Sequence, residues 1–126
     1  MQQEEHNKAI VRSALESIFH GEDPTVFESH PGPEDAKKKS PVLRAAFPDL
    51  RCRIERQIAE GDMVATHMSL SGTQTGSLFG VPPSGKRLEW QGVNIARVVD
   101  DHIVQYNGEM GWIDIFMQLG VVSLPR

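Results

Sequence analysis

Few side chains in this 126-residue chain have the type and spacing of a recognised chemical centre. None of its five histidines lies at metal-ligand spacing from a second ligand, and the chain lacks a glycine-rich phosphate loop or dinucleotide fingerprint. Ser84 lies in the turn sequence Pro82-Pro83-Ser84-Gly85, without the context of a nucleophile elbow. The residues alone therefore predict no metal site.

The elements that must position such groups begin with two helices. The helical spacing of apolar residues predicts a first helix over residues 4–19. Pro33 and Glu34 suit the first turn of a second helix, which extends to Ala46. Pro41 is expected to kink this helix or to split it after Lys39. Between the helices, residues 22–33 are short and irregular, and Val26–His30 is interpreted as a brief strand.

From Leu50 onward the residues alternate as strands do. Strands are predicted at 50–58, 63–72, 88–99 and 103–110, with tight turns between the first and second and between the third and fourth. Residues 112–119 form either the end of the last strand or a short closing helix. Helices followed by antiparallel strands indicate an α+β fold, in which N-terminal helices cover a curved sheet and leave a pocket at its open end. The length predicts a single domain over residues 1–126.

The third predicted strand carries an unusual mixture of residues on one face. That face presents Leu88, Trp90, Gly92, Asn94 and Ala96, and the opposite face presents Glu89, Gln91, Val93, Ile95 and Arg97. An aromatic residue, a glycine and an amide together suit a pocket wall, so Trp90 and Asn94 are candidate ligand-binding residues. The alternative is that Trp90 belongs to a plain core and that Asn94 bonds to the backbone.

Composition restricts the partners. A net charge of −4 and a pI of about 5.7 do not favour nucleic acid or an anionic membrane surface. No stretch approaches the roughly 20 apolar residues that cross a bilayer. The single cysteine, Cys52, excludes an intramolecular disulfide and favours a reducing, cytoplasmic setting. Its place in a strand-like run indicates packing rather than chemistry.

Four blocks between residues 45 and 86 form the most informative pattern of the chain. They read Ala45-Ala46-Phe47-Pro48-Asp49-Leu50, Ala59-Glu60-Gly61-Asp62-Met63-Val64-Ala65, Ser71-Gly72-Thr73-Gln74-Thr75-Gly76 and Phe79-Gly80-Val81-Pro82-Pro83-Ser84-Gly85-Lys86. In this order and spacing they resemble the SnoaL-like polyketide cyclases, α+β cone proteins related to nuclear transport factor two and ketosteroid isomerase. The similarity continues through Asn94-Ile95-Ala96-Arg97-Val98 to Gln118-Leu119-Gly120 and so covers most of the chain.

The resemblance also identifies a departure from the family. The family's last strand typically reads Ile-Val-Glu-His-Trp, then three residues, then the catalytic aspartate. The same register here runs from Ile103 and puts Gly111 in the place of that aspartate. Glu109 lies two residues earlier, on the same face of a regular strand, and is the candidate replacement for the base. Asp114 is the alternative if the strand breaks or bulges.

Further site residues follow from this register and from the resemblance. Gln105 and Asn107 are expected to form, with Glu109, one polar stripe that looks into the cavity. His30 resembles a histidine at the family's pocket mouth and could transfer a proton as a neutral imidazole. Phe27 joins the candidate ligand-binding residues. The simpler alternatives are that Glu109 is an exposed charge and that His30 is a capped loop residue.

The resemblance implies an enzyme: a cyclase or isomerase that performs cofactor-independent acid–base chemistry, such as aldol-type ring closure, on a small apolar carbonyl compound such as a polyketide. One alternative is a non-catalytic member that only binds a small molecule. Another is an epoxide hydrolase of the limonene type, for which Arg97 and Glu109 supply part of the required set. The resemblance also implies a homodimer through the outer face of the sheet, which Val93 and Ile95 support as exposed apolar residues.

Overall fold

A four-stranded antiparallel sheet in the order β1-β2-β3-β4 forms one wall of the molecule. The structure is a computed structural model that describes residues 2–20, 24–123 and 125. The elements along the chain are α1 (Gln2–His20), α2 (Pro24–Glu28), α3 (Glu34–Ala46), β1 (Arg51–Glu60), β2 (Met63–Thr73), β3 (Arg87–Val99), β4 (His102–Glu109) and α4 (Trp112–Gln118). The α+β class and the curved antiparallel sheet predicted from the sequence are confirmed.

Tight turns set the consecutive strand order. Gly61 joins β1 to β2 with a φ of 61°. Asp100 and Asp101 join β3 to β4 with φ values of 49° and 66°, and positive φ at both central residues is what a type I′ hairpin turn requires. Such short turns force neighbouring strands to pair with each other.

The core lies between the helices and the inner face of the sheet. One stripe of α1 is buried at helical spacing and includes Val11, Leu15 and Ile18. Along β3 buried and exposed residues alternate almost without exception, with Trp90 and Asn94 on the buried side, as the sequence predicted. This face of β3 therefore forms the inner wall against which the functional site is built.

One prediction for the helical region is wrong, and the predicted split of the second helix after Lys39 is not found. Val26–His30 was interpreted as a strand, but the structure has the short helix α2 there, because proline suits the first helical position and Pro24 starts it. Helix α3 is continuous through Pro41. Pro41 has no amide proton to donate to the carbonyl one turn earlier. Because Pro41 is exposed, that carbonyl lies on the water-facing side of the helix. Residues 22 and 23 of the predicted irregular segment lie outside the described residues.

The glycine- and proline-rich loop after β2 is organised around one buried amide. The Gln74 side chain donates to the carbonyls of Gly76 (3.1 Å), Val81 (3.3 Å) and Pro82 (3.1 Å) and accepts from the Ser84 amide (3.1 Å). Gln74 is fully buried, so these bonds satisfy groups that water does not reach. The last two sequence blocks that carry the family resemblance are therefore joined by these hydrogen bonds into one ordered loop.

Both edges of the sheet are interrupted. Strand β1 carries a bulge between Ile54 and Arg56. At β4, the Gly32 amide donates to the Ile103 carbonyl (2.9 Å), which ties the segment before α3 to the strand edge. Where β4 ends, α4 covers the exposed edge of β3, and Gln118 Nε2 donates to the Glu89 carbonyl (2.8 Å). None of the described helices is long and apolar enough to span a membrane.

Candidate functional site

A cavity of about 200 Å³ opens between the helices and the end of β4. Its apolar lining comes from Ile18, Phe19, Phe27, Leu43, Met110 and Trp112. Its polar lining comes from Asp35, Lys39, Ser40, Tyr106 and Glu109. A largely apolar cavity with a few converging polar groups is what a small-molecule site requires.

Tyr106 supplies a proton donor inside this cavity. Its ring packs edge-on against Phe27, with centroids 6.5 Å apart, and burial raises the pKa of its phenol, so the hydroxyl stays protonated. Among the described residues, the hydroxyl has no hydrogen-bond partner. A neutral donor without a partner is ready to bind an oxygen atom of a ligand.

A bulge decides which residues of β4 face the cavity. The pairing with β3 shifts by one residue between Arg97–Gln105 and Val98–Ile103, so Val104 is the extra residue. Ile103 faces inward before the bulge, and Tyr106 and Gly108 face inward after it. Directly paired residues share a face, and Tyr106 and Gly108 pair with the buried residues Ala96 and Asn94.

The predicted polar stripe of β4 is wrong for the same reason. Gln105 and Asn107 pair with Arg97 and Ile95 and lie exposed on the outer face. Gln105 accepts a hydrogen bond from Arg97 Nε (2.8 Å) rather than looking into the cavity. These two residues are therefore placed away from a cavity ligand.

Glu109 occupies the border between the outer face and the cavity. It is the last residue of β4, pairs with the outward residue Val93 and is exposed, yet it lines the cavity mouth. The other carboxylate of the mouth belongs to Asp35, which forms an ion pair with Lys39 (2.9 Å). Glu109 has no ion-pair partner among the described residues, so it is the carboxylate of the mouth that is open to a ligand.

Two polar atoms on the inner face of β3 are buried without a partner. Trp90 and Asn94 are 3% and 1% exposed, and neither Trp90 Nε1 nor Asn94 Oδ1 has a hydrogen-bond partner among the described residues. The Asn94 amide nitrogen makes one long contact to Met68 Sδ (3.9 Å). An unpaired buried polar group costs about 1–3 kcal/mol, which marks this wall as more than a plain core.

His30 is buried but stabilises the fold rather than lining the cavity. Its Nδ1 accepts a hydrogen bond from the Ile103 amide (2.9 Å), which assigns the proton of the neutral ring to Nε2. His30 therefore does not line the pocket mouth, where the resemblance placed it. Burial lowers the pKa of the imidazole, and the nearby His102 and Lys37 lower it further.

We expect acid to weaken the fold through His30. The unfolded chain takes up this proton near pH 6.5 and the folded chain only at a lower pH, so stability falls as the pH drops below about 6.5. The His30→Asn variant keeps an acceptor near the Nδ1 position but does not titrate. Urea unfolding at pH 7.5 and 5.5 should show a larger loss for the wild type than for the variant. Equal losses in the two proteins would contradict this assignment.

Comparison with known proteins agrees with this architecture. The sequence profile of the SnoaL-like polyketide cyclases matches residues 3–119. The chain belongs to this family. No match was found among curated proteins.

Solved structures show the same fold as this SnoaL-like protein. AclR from Streptomyces galilaeus, a candidate hydroxylase, has a TM-score of 0.83 at 24% identity, over 98% of this chain and 87% of that one. A candidate SnoaL-like polyketide cyclase from Jannaschia sp. CCS1 gives 0.81 at 22% identity, over 95% of each chain. IdmH from Streptomyces antibioticus, a candidate polyketide cyclase, gives 0.77 at 22% identity, over 91% of this chain and 99% of that one.

In this SnoaL-like protein, the backbone at Gly111 leaves no room for a side chain. Gly111 precedes α4 with φ 72° and ψ 33°, a left-handed conformation that favours glycine. A Cβ atom there would lie 2.5 Å from the Gln91 carbonyl oxygen and 3.5 Å from Trp90 Cδ1. The position at which the resemblance expects an aspartate is therefore closed by the chain itself.

We expect Gly111→Ala to destabilise this SnoaL-like protein by about 1–3 kcal/mol more than Gly120→Ala, because only position 111 adds steric overlap. Gly120 is the matched control, since it has a similar φ of 77° and nothing within 4 Å of a Cβ atom. Both variants carry the strain of a left-handed residue, about 1–2 kcal/mol. Urea unfolding measures the difference, and equal destabilisation would show that the contact with Gln91 is relieved at no cost.

Two further residues of the sequence hypotheses lie away from the cavity of this SnoaL-like protein. Asp114 lies in the first turn of α4, beside an open groove on the sheet, and accepts from Gln118 Nε2 (3.1 Å). Arg97 donates to both carboxylate oxygens of Asp62 at 2.8 and 2.7 Å. Arg97 and Glu109 therefore do not converge on one water site, as an epoxide hydrolase would need. Tyr106, which was not among the predicted site residues, lines the cavity as a donor, as do Lys39 and Ser40.

Proposed function

We propose that this protein binds a small, largely apolar carbonyl compound, such as part of a polyketide, and catalyses its cofactor-independent enolisation, leading to aldol-type ring closure. The observation that carries the proposal is the protonated hydroxyl of Tyr106, which has no hydrogen-bond partner among the described residues, inside a cavity whose mouth carries the carboxylate of Glu109. Enolisation needs these two functions, a donor to the carbonyl oxygen and a base for the neighbouring carbon.

In the proposed reaction, Tyr106 donates a hydrogen bond to the substrate carbonyl oxygen. Glu109 removes the proton from the adjacent carbon, and the electron pair of that C–H bond moves into the enolate, whose charge collects on oxygen. The enolate carbon then attacks a second carbonyl of the same molecule and forms the new C–C bond. The proton held by Glu109 returns to the alkoxide that results, so the base is regenerated.

The size of the cavity restricts the ligand. A volume of about 200 Å³ lies below the roughly 300–1,000 Å³ of sites for drug-sized ligands, so a small ring system fits and the rest of a longer molecule must project out. The open mouth, flanked by Asp35 and Lys39, provides that exit. Phe27 lines the cavity and is proposed to contact the ligand. Trp90 and Asn94, the other two predicted ligand-binding residues on the inner face of the sheet, do not line it, and Trp90 borders the open groove instead.

Deuterium exchange tests the proposal directly. In D2O, the protons at C2 of 1-tetralone exchange through the enol, and proton NMR follows their loss with and without protein. We expect the protein to bind the ketone and to accelerate exchange over buffer. Absence of binding by 1-tetralone and its 6-hydroxy and 6-methoxy derivatives would contradict the proposed site.

A second candidate function is non-catalytic binding of the same class of ligand. The observation in its favour is that the Glu109 carboxylate is exposed and that Gly111 offers no side chain in place of the family's aspartate. Binding of 1-tetralone without any acceleration of exchange would favour this candidate over catalysis.

We also propose a homodimer formed through the outer face of the sheet. The exposed apolar residues Ile58 and Ile95 lie in one row across β1, β2 and β3, and Val93 lies next to it, with exposures of 66%, 46% and 47%. Burying such a patch between two copies removes apolar surface from water. Analytical ultracentrifugation is expected to show a dimer at micromolar concentration that Ile95→Lys dissociates. A wild type that sediments only as a monomer would refute the dimer.

A further inference from the structure

A polar wall lies directly behind the cavity, at Trp90, Gly92 and Asn94 of β3. We propose that it is a second, deeper subsite, which binds a hydroxyl group on the ring of the ligand farthest from the reacting carbonyl. This inference rests on the proposed function, since it concerns the other end of the same ligand. It assigns a substrate class: ketones that carry a hydroxylated distal ring.

The wall and the cavity are adjacent because the end of β4 runs beside this part of β3. Asn94 pairs with the cavity residue Gly108. A Cβ atom on Gly92 would lie 3.4 Å from the carbonyl oxygen of Glu109, which also lines the cavity. At the far end, Gly111 lies against Trp90. A ligand that extends past the end of β4 therefore reaches the face of β3 that carries both unpartnered atoms.

The chemistry of the two unpartnered atoms defines which groups they bind. The indole nitrogen of Trp90 can only donate, and the amide oxygen of Asn94 can only accept. A hydroxyl group both accepts and donates, so it matches both atoms, whereas a methoxy group or a carbonyl matches only Trp90. Both side chains are almost fully buried, so either bond would form away from competing water.

Met68 fills the space that the distal ring would occupy. Its Cε lies 3.2 Å from the place of a Cβ atom on Gly92, and its Sδ contacts the Asn94 amide nitrogen at 3.9 Å. Methionine is unbranched and changes rotamer readily, and Gly92 has no side chain to oppose a ring above it. Leu70 Cδ1 lies 3.4 Å from the same place, so rotation of Met68 together with a shift of the Leu70 side chain would extend the cavity toward this face of β3.

Ordered water is the competing occupant, because buried unpaired polar groups often hold it. Three ketones separate the two occupants by isothermal titration calorimetry. They are 1-tetralone, 6-methoxy-1-tetralone, which adds an acceptor, and 6-hydroxy-1-tetralone, which adds an acceptor and a donor. We expect the hydroxyl compound to bind the wild type about tenfold more tightly than 1-tetralone, with the methoxy compound between them.

Two variants test which side chain causes each difference in affinity between the ketones. Asn94→Leu is expected to abolish the preference for hydroxyl over methoxy, and Trp90→Phe the preference for methoxy over hydrogen. The indole N–H resonance of Trp90 is assigned by its loss in Trp90→Phe. In the wild type, this resonance should shift more when the hydroxyl compound binds than when 1-tetralone binds. Circular dichroism and thermal melting verify the folding of each variant, and the ligand series on the wild type does not depend on them.

The outcomes separate this inference from the proposed function. Equal affinities for the three ketones on the wild type would overturn the subsite and leave ordered water as its only occupant. The acceleration of exchange in 1-tetralone, which lacks the distal group, would then still support the proposed function. Tight binding of the hydroxyl compound without acceleration would support the subsite and contradict the catalysis, and failure of all three ketones to bind would overturn both.

Discussion

The Glu109→Gln substitution is expected to lower the rate of protein-catalysed exchange at C2 of 1-tetralone by about 10²–10⁴-fold, the usual contribution of a positioned general base. Glutamine preserves the length and shape of the side chain but cannot take up the proton. Because Glu109 lies exposed at the cavity mouth, the substitution should leave ligand affinity and folding stability nearly unchanged. Proton NMR at saturating ketone measures the rate, and calorimetry measures the affinity.

The matched control for Glu109→Gln is Asp114→Asn. It also removes an exposed carboxylate from this part of the chain, but one that lies outside the cavity. It is expected to leave the exchange rate unchanged. Asp35→Asn examines the other carboxylate of the mouth. If this variant loses the activity and Glu109→Gln retains it, Asp35 is the base and the assignment of Glu109 is wrong.

The Tyr106→Phe substitution is expected to lower the same rate by about 10²–10³-fold, the loss seen when one donor to a developing oxyanion is removed. The ring and its contact with Phe27 remain, so the cavity keeps its shape. The hydroxyl has no hydrogen-bond partner in the part of the chain that the structure describes, so its removal should leave the free energy of unfolding unchanged or increase it. A lower rate together with undiminished stability distinguishes a donor to the substrate from a structural residue.

Phe27→Leu is the companion variant, because it weakens the packing around Tyr106 but keeps the hydroxyl. It should reduce stability and affinity more than the rate at saturation. An exchange rate in Tyr106→Phe equal to that of the wild type would refute Tyr106 as the donor. Because burial raises the pKa of the phenol, alkaline pH near 10 should not by itself remove the donor.

Alternation predicted β3 correctly because nothing interrupts that strand. One face of β3 meets the helices and the other meets water, so buried and exposed residues follow a period of two. The same rule failed in β4, where the bulge at Val104 moves every later residue to the opposite face. Ile103 and Tyr106 are both inward-facing, and their separation by three residues instead of two is the signal that could have revealed the bulge.

The sequence could not establish the role of Gly111 or His30. A glycine in place of a catalytic residue can mean a vacant position, but here the Gln91 carbonyl, from the neighbouring strand, occupies the space. His30 was predicted to transfer protons because of its residue type and position. Its Nδ1 instead accepts a hydrogen bond from the amide of Ile103, 73 residues later in the sequence. Such long-range pairings depend on tertiary contacts that a local pattern does not contain.

The interrupted edges of the sheet have a consequence for how the protein behaves when concentrated. Open strand edges recruit further strands and lead to fibrous aggregates. Here each edge is protected from such pairing. Strand β1 carries a bulge and charged residues, the segment before α3 is bonded to Ile103 of β4, and α4 covers the edge of β3. A truncation before Trp112 would remove that cover, and it should produce a protein that precipitates by strand addition while its hairpins are still intact.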